Sequence, residues 1–171
     1  NGMDLSTKLQ TIKTKKDIHK NKTIVTFLGR LEESKAPDKF LQAFIDVRNK
    51  LPNKFHCFII GSGSMKDKLK DIVSVENAIN DVSFYSDIEH AKVFYLLSKT
   101  DIYVSLNRYG NLSNANIEAM CLGKAIIMPK SQAEKGIDID TDKLITDNAV
   151  YKISTSDAVE ELAAAIILLH N

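Results

Sequence analysis

The stretch that decides the fold runs from Thr23 to Ile60 and reads TIVTFLGRLEESKAPDKFLQAFIDVRNKLPNKFHCFII. Its first six residues, up to Leu28, are rich in β-branched side chains and almost continuously apolar, as in a strand covered on both faces. Pro37 suits the first turn of a helix, and apolar residues follow it at helical spacing: Phe40, Leu41, Phe44 and Ile45. The run from Phe55 to Ile60 is a second strand, so this stretch predicts a strand–helix–strand unit.

The same alternation continues to the end of the chain. We predict further strands at 82–85, 101–104, 125–128 and 149–153, and further helices at 65–73, 90–98, 114–122 and 156–170. Such regular alternation predicts an α/β fold with a Rossmann-like, doubly wound parallel sheet of about six strands. Ligands bind such sheets beyond the carboxyl ends of the strands, so the residues that follow each strand are the candidate functional residues.

Length and composition indicate one ordinary domain. The chain has 171 residues, of which 44% are hydrophobic and 26% charged, as in a globular protein with a sizeable core. Residues 1–22 are polar and rich in lysine, and we expect a linker and basic arm there, with the folded domain at 23–171. The arm could alternatively touch phosphate or an anionic membrane. Because the chain starts without methionine, we expect a piece of a longer protein.

Charge and special residues exclude several function classes. A net charge of +1 gives no reason to expect nucleic acid as a partner. Cys57 and Cys121 lie in apolar runs and are interpreted as small core residues of a cytoplasmic protein. The four histidines have no metal-ligand spacing, and His56 is expected to be packed or hydrogen-bonded within its strand. We therefore predict no metal site and no acid–nucleophile arrangement.

Two basic residues follow the first strand. The guanidinium of Arg30 offers a planar fork of donors that suits the paired oxygens of a diphosphate, and Lys35 adds a second positive charge just before the helix. The alternative is that both are ordinary solvated charges. After the second strand, Gly61-Ser62-Gly63 lacks the third glycine of a dinucleotide fingerprint, since Lys66 stands there. Backbone must come close to a ligand or to the next helix here.

The fourth strand leads through a loop into a helix that starts near Asn114. Ser113 is a suitable N-cap, and a helix that begins at this edge of the sheet can hold an anion. Glu118, one turn into the helix, could accept hydrogen bonds from two ribose hydroxyls. It could equally be a favourable acid near a helix start.

Taken together and in order, these segments resemble glycosyltransferase family 4 (glycosyl transferases group 1). The family pattern of aspartate and strand, Glu-x7-Glu, Ala-Met, glycine and strand is similar to this chain at Asp101 to Val104, Glu118-Ala119-Met120, Gly123 and the strand before Pro129. The family's other segments are similar to Gly29-Arg30-Leu31 with Lys35, Gly61-Ser62-Gly63, Val82 to Ser86 and Asn1-Gly2-Met3-Asp4.

The resemblance implies the C-terminal, donor-binding half of a GT-B fold, in which two Rossmann-like domains face each other across a cleft. By this likeness the domain binds the nucleoside-diphosphate sugar donor of a retaining enzyme that uses no metal or other cofactor. Arg30 and Lys35 would bind the diphosphate and stabilise its developing charge. The implied donor-binding residues are Gly29, Gly61, Tyr85, Asn111, Leu112, Ser113, Asn114 and Glu118, with Glu118 on the ribose and backbone near Tyr85 on the base.

The resemblance also implies partners. A UDP-sugar is the first expectation for the donor and a GDP-sugar the second. The acceptor would be a glycan or a lipid-linked molecule, held through a missing N-terminal domain, so the full-length protein would contact the inner face of a membrane. Gly110 stands where the family has the first glutamate of Glu-x7-Glu, and Ala36 where it has a glycine.

Two alternatives stay open at this stage. Because of Gly110, the domain could be a non-catalytic, transferase-like binding module. It could also be half of a nucleotide-sugar 2-epimerase, which shares the GT-B architecture. The segments around Arg30 and Glu118 fit that enzyme class less well than they fit the transferases.

Overall fold

The structure is a computed structural model and describes residues 21–110, 113–132, 139–145 and 149–171. The strands are β1 Thr23–Leu28, β2 Phe55–Ile60, β3 Val82–Tyr85, β4 Ile102–Val104, β5 Ala125–Pro129 and β6 Tyr151–Ile153. The helices are α1 Pro37–Lys50, α2 Lys66–Val75, α3 His90–Ser98, α4 Asn114–Cys121, α5 Ile139–Leu144 and α6 Val159–His170. A 3-10 turn at Glu33–Lys35 precedes α1.

The six strands form one sheet in which every neighbouring pair is parallel. The strand order is β3-β2-β1-β4-β5-β6, so the chain builds outward from β1 in one direction and then outward from β4 in the other. The register places Leu28 beside Ile60 and Phe27 beside Val104, so the strands end at a common edge. The point between β1 and β4 is the topological switch point of a doubly wound sheet, and the predicted fold class is confirmed.

Helices cover both faces of the sheet, which explains the nearly continuous apolar strands. One face packs against α1, α2 and α6 through alternate strand residues: Val25, Phe27, Phe55, Cys57, Ile59, Ile102, Val104 and Ile127. The other face packs against α3 and α4 through the residues between them: Ile24, Phe58, Ile60, Tyr103, Ile126 and Met128. The residues expected on the buried side of α1 all lie in the core: Phe40, Leu41, Phe44 and Ile45.

Several details differ from the sequence-based expectations. The helix α5 lies in a stretch where no element was predicted; with six residues it is too short to show a clear helical period. The strand β6 starts two residues later than expected, and α6 starts at Val159 rather than near residue 156. Cys57 is buried as expected, whereas Cys121 is exposed, because the last turn of α4 presents it to solvent. His56 is buried and hydrogen-bonded to Ser83, as predicted.

The described chain starts at the amino-terminal edge of the sheet, where Lys22 is anchored. Its ammonium lies 2.9 Å from Oδ1 of Asp81, and the guanidinium of Arg48 binds the other carboxylate oxygen at 3.0 Å. Burial raises the pKa of Asp81, but the hydrogen bonds and charges of these two cations outweigh it and hold the pKa below its ordinary value. Most of the expected arm, residues 1–20, lies outside the described residues. Among the described helices, none has the length and apolar character needed to cross a membrane.

A buried pair of hydroxyls links β1 to the end of α3. Thr26 Oγ1 and Thr100 Oγ1 are 2.7 Å apart, and Thr100 also donates to the carbonyl of Leu96 at 3.0 Å. Because Thr100 has one hydroxyl proton, Thr26 must donate to Thr100 rather than the reverse. Lys99 N–H donates to the same Leu96 carbonyl, so that oxygen would keep a partner without Thr100.

Because Thr26 depends on Thr100 as its acceptor, removing the Thr100 hydroxyl should destabilise the protein, and then removing the Thr26 hydroxyl should reverse most of that effect. Thr100→Val should lower the free energy of unfolding by about 1–3 kcal/mol, because it leaves the buried Thr26 hydroxyl without its acceptor. Adding Thr26→Val removes the stranded hydroxyl and should restore most of that loss. Chemical denaturation of both variants measures the effect. Equal instability of the single and double variants would show that Thr26 does not depend on Thr100.

Candidate functional site

A small cavity opens at the switch point, where the carboxyl ends of β1 and β4 lie side by side. Its volume is about 120 Å3, and its lining comes from four segments of the chain: Phe27, Leu28, Gly29, Lys35, Tyr103, Ser105, Leu106, Asn107, Ser113 and Ala115. Several polar side chains contribute to the lining, and Lys35 is its one charged side chain among the described residues. The cavity therefore favours an anion over a cation.

Local backbone geometry fixes Lys35 at the mouth of this cavity. The residue ends the 3-10 turn, and the next residue, Ala36, is fully buried with a left-handed backbone (φ 47°). This sharp turn sends the chain into α1 and leaves Lys35 facing the cavity. Burial, and secondly the charge of nearby Arg30, lower the pKa of Lys35 below its ordinary value. Lys35 and Arg30 are thus near enough for their positive charges to repel, and a polyanionic ligand would offset this repulsion.

The loop after β1 is held rigidly against the loop after β2. Gly29 N–H donates to the Ile60 carbonyl at 3.0 Å, and Leu31 N–H donates to the Ser62 carbonyl at 2.9 Å. The side chain of Leu31 is fully buried. Arg30 lies between these two anchored residues with its own side chain exposed. The flexible guanidinium therefore stands on a fixed backbone.

Close packing of the same two loops explains the paired glycines. Gly61 has φ +144°, and a Cβ built there would lie 1.9 Å from the Gly29 carbonyl oxygen. A Cβ on Gly63 would lie 2.5 Å from the Leu31 carbonyl oxygen. The partner of the close backbone approach is thus the neighbouring loop, and neither a ligand nor the next helix is needed to account for these glycines.

A carboxylate latch adds to this packing. Glu32 accepts hydrogen bonds from the backbone N–H and the hydroxyl of Ser64, at 2.9 and 2.6 Å. These two bonds, the hydroxyl bond first, hold the pKa of Glu32 below its ordinary value. Glu32 is therefore hydrogen-bonded to the neighbouring loop, and the charge of Arg30 contributes to its lowered pKa as well.

The start of α4 forms the opposite side of the cavity. Ser113 is the N-cap, as predicted, and its hydroxyl oxygen accepts from Asn116 N–H at 3.3 Å. Asn116 is fully buried and accepts from the Tyr103 hydroxyl at 2.9 Å. Burial raises the pKa of Tyr103, so its hydroxyl keeps its proton and remains a donor. This network fixes the helix start, whose first backbone N–H groups lack intrahelical partners.

Gly110, which stands where the family pattern has a glutamate, lies in the loop after β4. Asn107 donates from its side chain to the Gly110 carbonyl, and Tyr109 N–H donates back to Asn107 at 3.3 Å. Arg108 N–H donates to the Ser34 carbonyl at 3.0 Å, and its guanidinium pairs with Asp157 at 2.7 Å. The loop is therefore built from backbone and amide bonds, and Arg108 is engaged in holding it.

Glu118 lies on α4 beyond the cavity rim. Its side chain is 25% exposed, and Oε1 lies 2.9 Å from Nε2 of His90, the first residue of α3. Tyr85 ends β3, and its carbonyl accepts from Gly61 N–H at 2.8 Å. Its ring packs edge-on against Phe58, with the ring centres 5.5 Å apart. Glu118 and Tyr85 lie outside the cavity lining.

The structure thus brings together part of the predicted set. Three of the predicted residues line the cavity: Gly29, Lys35 and Ser113. Five others lie outside its lining: Arg30, Gly61, Tyr85, Asn114 and Glu118. Asn111 and Leu112 fall outside the described residues. Sequence reasoning missed four polar residues: Tyr103, Ser105, Asn107 and Asn116. The sequence of β4 does carry a signal for Tyr103: its hydroxyl is the one polar side-chain group in that strand, between Ile102 and Val104.

In the stretches of chain that the structure covers, no group of three or more His, Cys, Asp or Glu side chains could hold a metal ion.

Fold and site define a Rossmann-like α/β domain with a cationic cavity at its switch point. The sequence model of the family "Glycosyl transferases group 1" matches residues 9–170 of this chain. The chain therefore belongs to the glycosyl transferases group 1 family. An uncharacterized glycosyltransferase of Methanocaldococcus jannaschii is 29% identical over 142 residues, which cover 81% of this chain and 36% of that protein. A second from the same organism is covered over 27% of its length, so the chain spans about a third of these curated relatives.

Solved structures share the fold. The C-terminal domain of the glycosyl transferase group 1 family protein LpcC from Francisella tularensis has a TM-score of 0.71 and 19% identity, covering 98% of this chain and 83% of that one. TarM from S. aureus, in complex with fondaparinux, alpha-GlcNAc-glycerol and UDP, has a TM-score of 0.72 and 22% identity, covering 88% of this chain and 29% of that one. At these identities the likeness shows the fold.

The loop packing yields a stability prediction. Gly61→Ala should lower the free energy of unfolding by about 3 kcal/mol or more, because it combines a strained φ with a clash against the Gly29 carbonyl. Gly123→Ala is the matched control: Gly123 also has positive φ (+64°), but nothing lies within 4 Å of its added Cβ. The control should lose only about 1–2 kcal/mol from backbone strain. Similar losses in both, measured by denaturant unfolding, would contradict the packing argument.

Proposed function

We propose that this domain binds the nucleoside-diphosphate sugar donor of a retaining glycosyltransferase. The observation that carries the proposal is the half-buried Lys35 at the switch-point cavity, with Arg30 beside it. The described lining holds no acid that would repel a diphosphate. The capped start of α4 supplies further N–H donors on the opposite side. Membership of the glycosyl transferases group 1 family supports this reading of the cavity.

In this proposal the two cations act on the leaving group. When the bond between the sugar's anomeric carbon and the diphosphate breaks, its electron pair stays on the diphosphate oxygen. Arg30 and Lys35 stabilise the negative charge that develops there. The positive end of the α4 dipole adds to this effect. Because the loop backbones are fixed before the donor arrives, little reorganisation is needed at the moment of reaction.

The nucleoside would lie outside the cavity proper. Glu118 would accept hydrogen bonds from the ribose hydroxyls, and the backbone near Tyr85 would face the base. We propose UDP as the first candidate for the nucleotide and GDP as the second. The TarM structure, which has the same fold, contains UDP, and this supports the order.

A cavity of about 120 Å3 is smaller than the roughly 300–1,000 Å3 of typical ligand sites. The donor would therefore be held between this domain and a facing one, which would also bring the glycan or lipid-linked acceptor. This agrees with a chain that spans 36% of its M. jannaschii relative. Sugar transfer is accordingly proposed for the longer protein, and donor binding for this domain.

Gly110 supports a second candidate, a transferase-like module that binds the donor without turnover. A carboxylate expected to grip the donor sugar is missing at this position. The two candidates differ in a single observation, which is sugar transfer by the full-length protein.

The first test is a binding panel. The purified domain is titrated with UDP, GDP, ADP and inorganic phosphate while thermal unfolding is followed. One nucleoside diphosphate should stabilise the domain by about 2.7 kcal/mol at about a hundred times its Kd, and phosphate alone should not. Arg30→Ala and Lys35→Ala should each weaken binding by about 1.5–3 kcal/mol, as expected for a charge-assisted contact.

Lys70→Ala is the control for loss of a positive charge, since Lys70 is an exposed lysine on α2. Its Kd should equal that of the wild type. Unchanged affinity in both Arg30→Ala and Lys35→Ala would overturn the site assignment. No response to any nucleotide would count against donor binding by this domain.

The lowered pKa of Lys35 predicts a pH dependence of binding. As pH rises through this lowered pKa, the free protein loses the Lys35 charge, so nucleoside-diphosphate affinity should begin to fall at a pH below the ordinary lysine pKa of 10.5. A Lys35→Arg variant keeps its charge over this range and should show a flatter profile. The measurement is Kd against pH by calorimetry. Parallel profiles for lysine and arginine would contradict the prediction.

A further inference from the structure

We propose that His90 is a positioning residue that orients the Glu118 carboxylate for a ribose diol. The inference deepens the proposed function and rests on it. His90 opens α3 and Glu118 lies in the second turn of α4, so two helices distant in sequence meet at this contact. Their Nε2 and Oε1 atoms are 2.9 Å apart.

The exposure of the two side chains shows how the contact is arranged. His90 is 76% exposed and Glu118 is 25% exposed, so the histidine approaches the carboxylate from the solvent side. A contact this exposed contributes little to folding stability. Its effect is local: it selects one orientation of a side chain that otherwise samples several.

The hydrogen-bonding capacity of the carboxylate allows both partners at once. An ionised glutamate has two oxygens and about four lone-pair sites. One hydrogen bond from His90 uses one site on Oε1, which leaves acceptors on both oxygens for two vicinal hydroxyls. An oriented carboxylate meets the diol without paying the entropy of ordering its own side chain.

The surroundings of α3 agree with a nucleoside at this place. Lys92, two residues after His90, has its ammonium 5.9 Å from the centre of the Tyr85 ring. The start of α3 therefore contacts both residues assigned to the nucleoside, Tyr85 on the base side and Glu118 on the ribose side. Base and ribose are covalently joined, so their protein partners must be neighbours, and the first turn of α3 is the segment that connects them.

The experiment uses calorimetry to compare the binding of nucleotides that have both ribose hydroxyls with the binding of nucleotides that lack them. The ligands are UDP, GDP and ADP, each paired with its 2′,3′-dideoxy counterpart, and the base that the wild type binds decides which pair is read. His90→Ala should weaken binding of the ribonucleotide about three- to ten-fold, as expected when one rotamer-rich side chain must be ordered on binding. Binding of the dideoxy ligand should stay unchanged, because it offers Glu118 no hydroxyl.

Two further variants distinguish positioning from general structural support. His90→Gln keeps an N–H donor at similar reach and should restore most of the ribonucleotide affinity. Lys99→Ala, just beyond the other end of α3 and exposed, should bind both ligands as the wild type does. A purely structural role for His90 would weaken both ligands equally and lower the unfolding temperature.

Each outcome has a defined meaning. Equal ribonucleotide affinity in the wild type and His90→Ala overturns the positioning role and leaves the proposed function intact. Equal weakening of the ribose and dideoxy ligands also overturns it. If the wild type binds none of UDP, GDP and ADP, the proposed function fails, and the role of His90 fails with it.

Discussion

The parallel pairing of β1 with β2 on one side and with β4 on the other is the constraint on which the rest of the molecule depends. It divides the sheet into two halves that wind in opposite directions. The loops that leave β1 and β4 must therefore diverge onto opposite faces, and a cavity is left between them. Lys35 and Ser113 come to face each other across that cavity although they are far apart in sequence.

Strand pairing alone does not fix the loops at the carboxyl edge of the sheet. Hydrogen bonds between neighbouring loops hold them in place. Backbone bonds join Leu31 to Ser62 and Arg108 to Ser34, while Glu32 binds Ser64. The loops after β2, β1 and β4, which are neighbours in the sheet, are thereby connected into one support. A cation on such a support stabilises charge more effectively than a cation on a mobile loop, because its position is fixed before the charge appears.

The sequence was informative wherever the signal is local. The apolar runs of β1 and β2, Pro37 at the start of α1 and the Ser113 cap are each set by residues within a few positions, and the structure has them as predicted. Lys35 could be singled out for the same reason, because it follows β1 closely in the sequence, and the structure places it in the cavity lining.

The missed features depend on contacts between distant segments. The bond between Tyr103 and Asn116 requires a strand and a helix to pack in one particular way. The contact between His90 and Glu118 spans 28 residues and two helices, so no spacing rule could reveal it. For the same reason the sequence could not show what the Gly61 backbone packs against. It is the carbonyl of Gly29, at the end of the neighbouring strand. Cys121 is exposed because it lies on the solvent-facing side of α4. The apolar residues next to it in the sequence did not reveal which side of the helix it would occupy.

The charge distribution completes the argument about the site. The chain is nearly neutral, with 23 basic and 22 acidic residues, so its net charge gives no reason to expect a general attraction for anions. The charge at the switch point is uneven on a local scale, because Lys35 is the one charged side chain of the described lining and the nearby acids have other partners. Glu32 holds Ser64, and Asp157 holds Arg108. Gly110 lies in the loop after β4, so no carboxylate stands there, and among the described lining residues of the cavity the positive charge of Lys35 has no acid beside it. In the function proposed above, this local positive charge is what the diphosphate of the donor would meet, and contacts to the sugar would fall to backbone and amide groups.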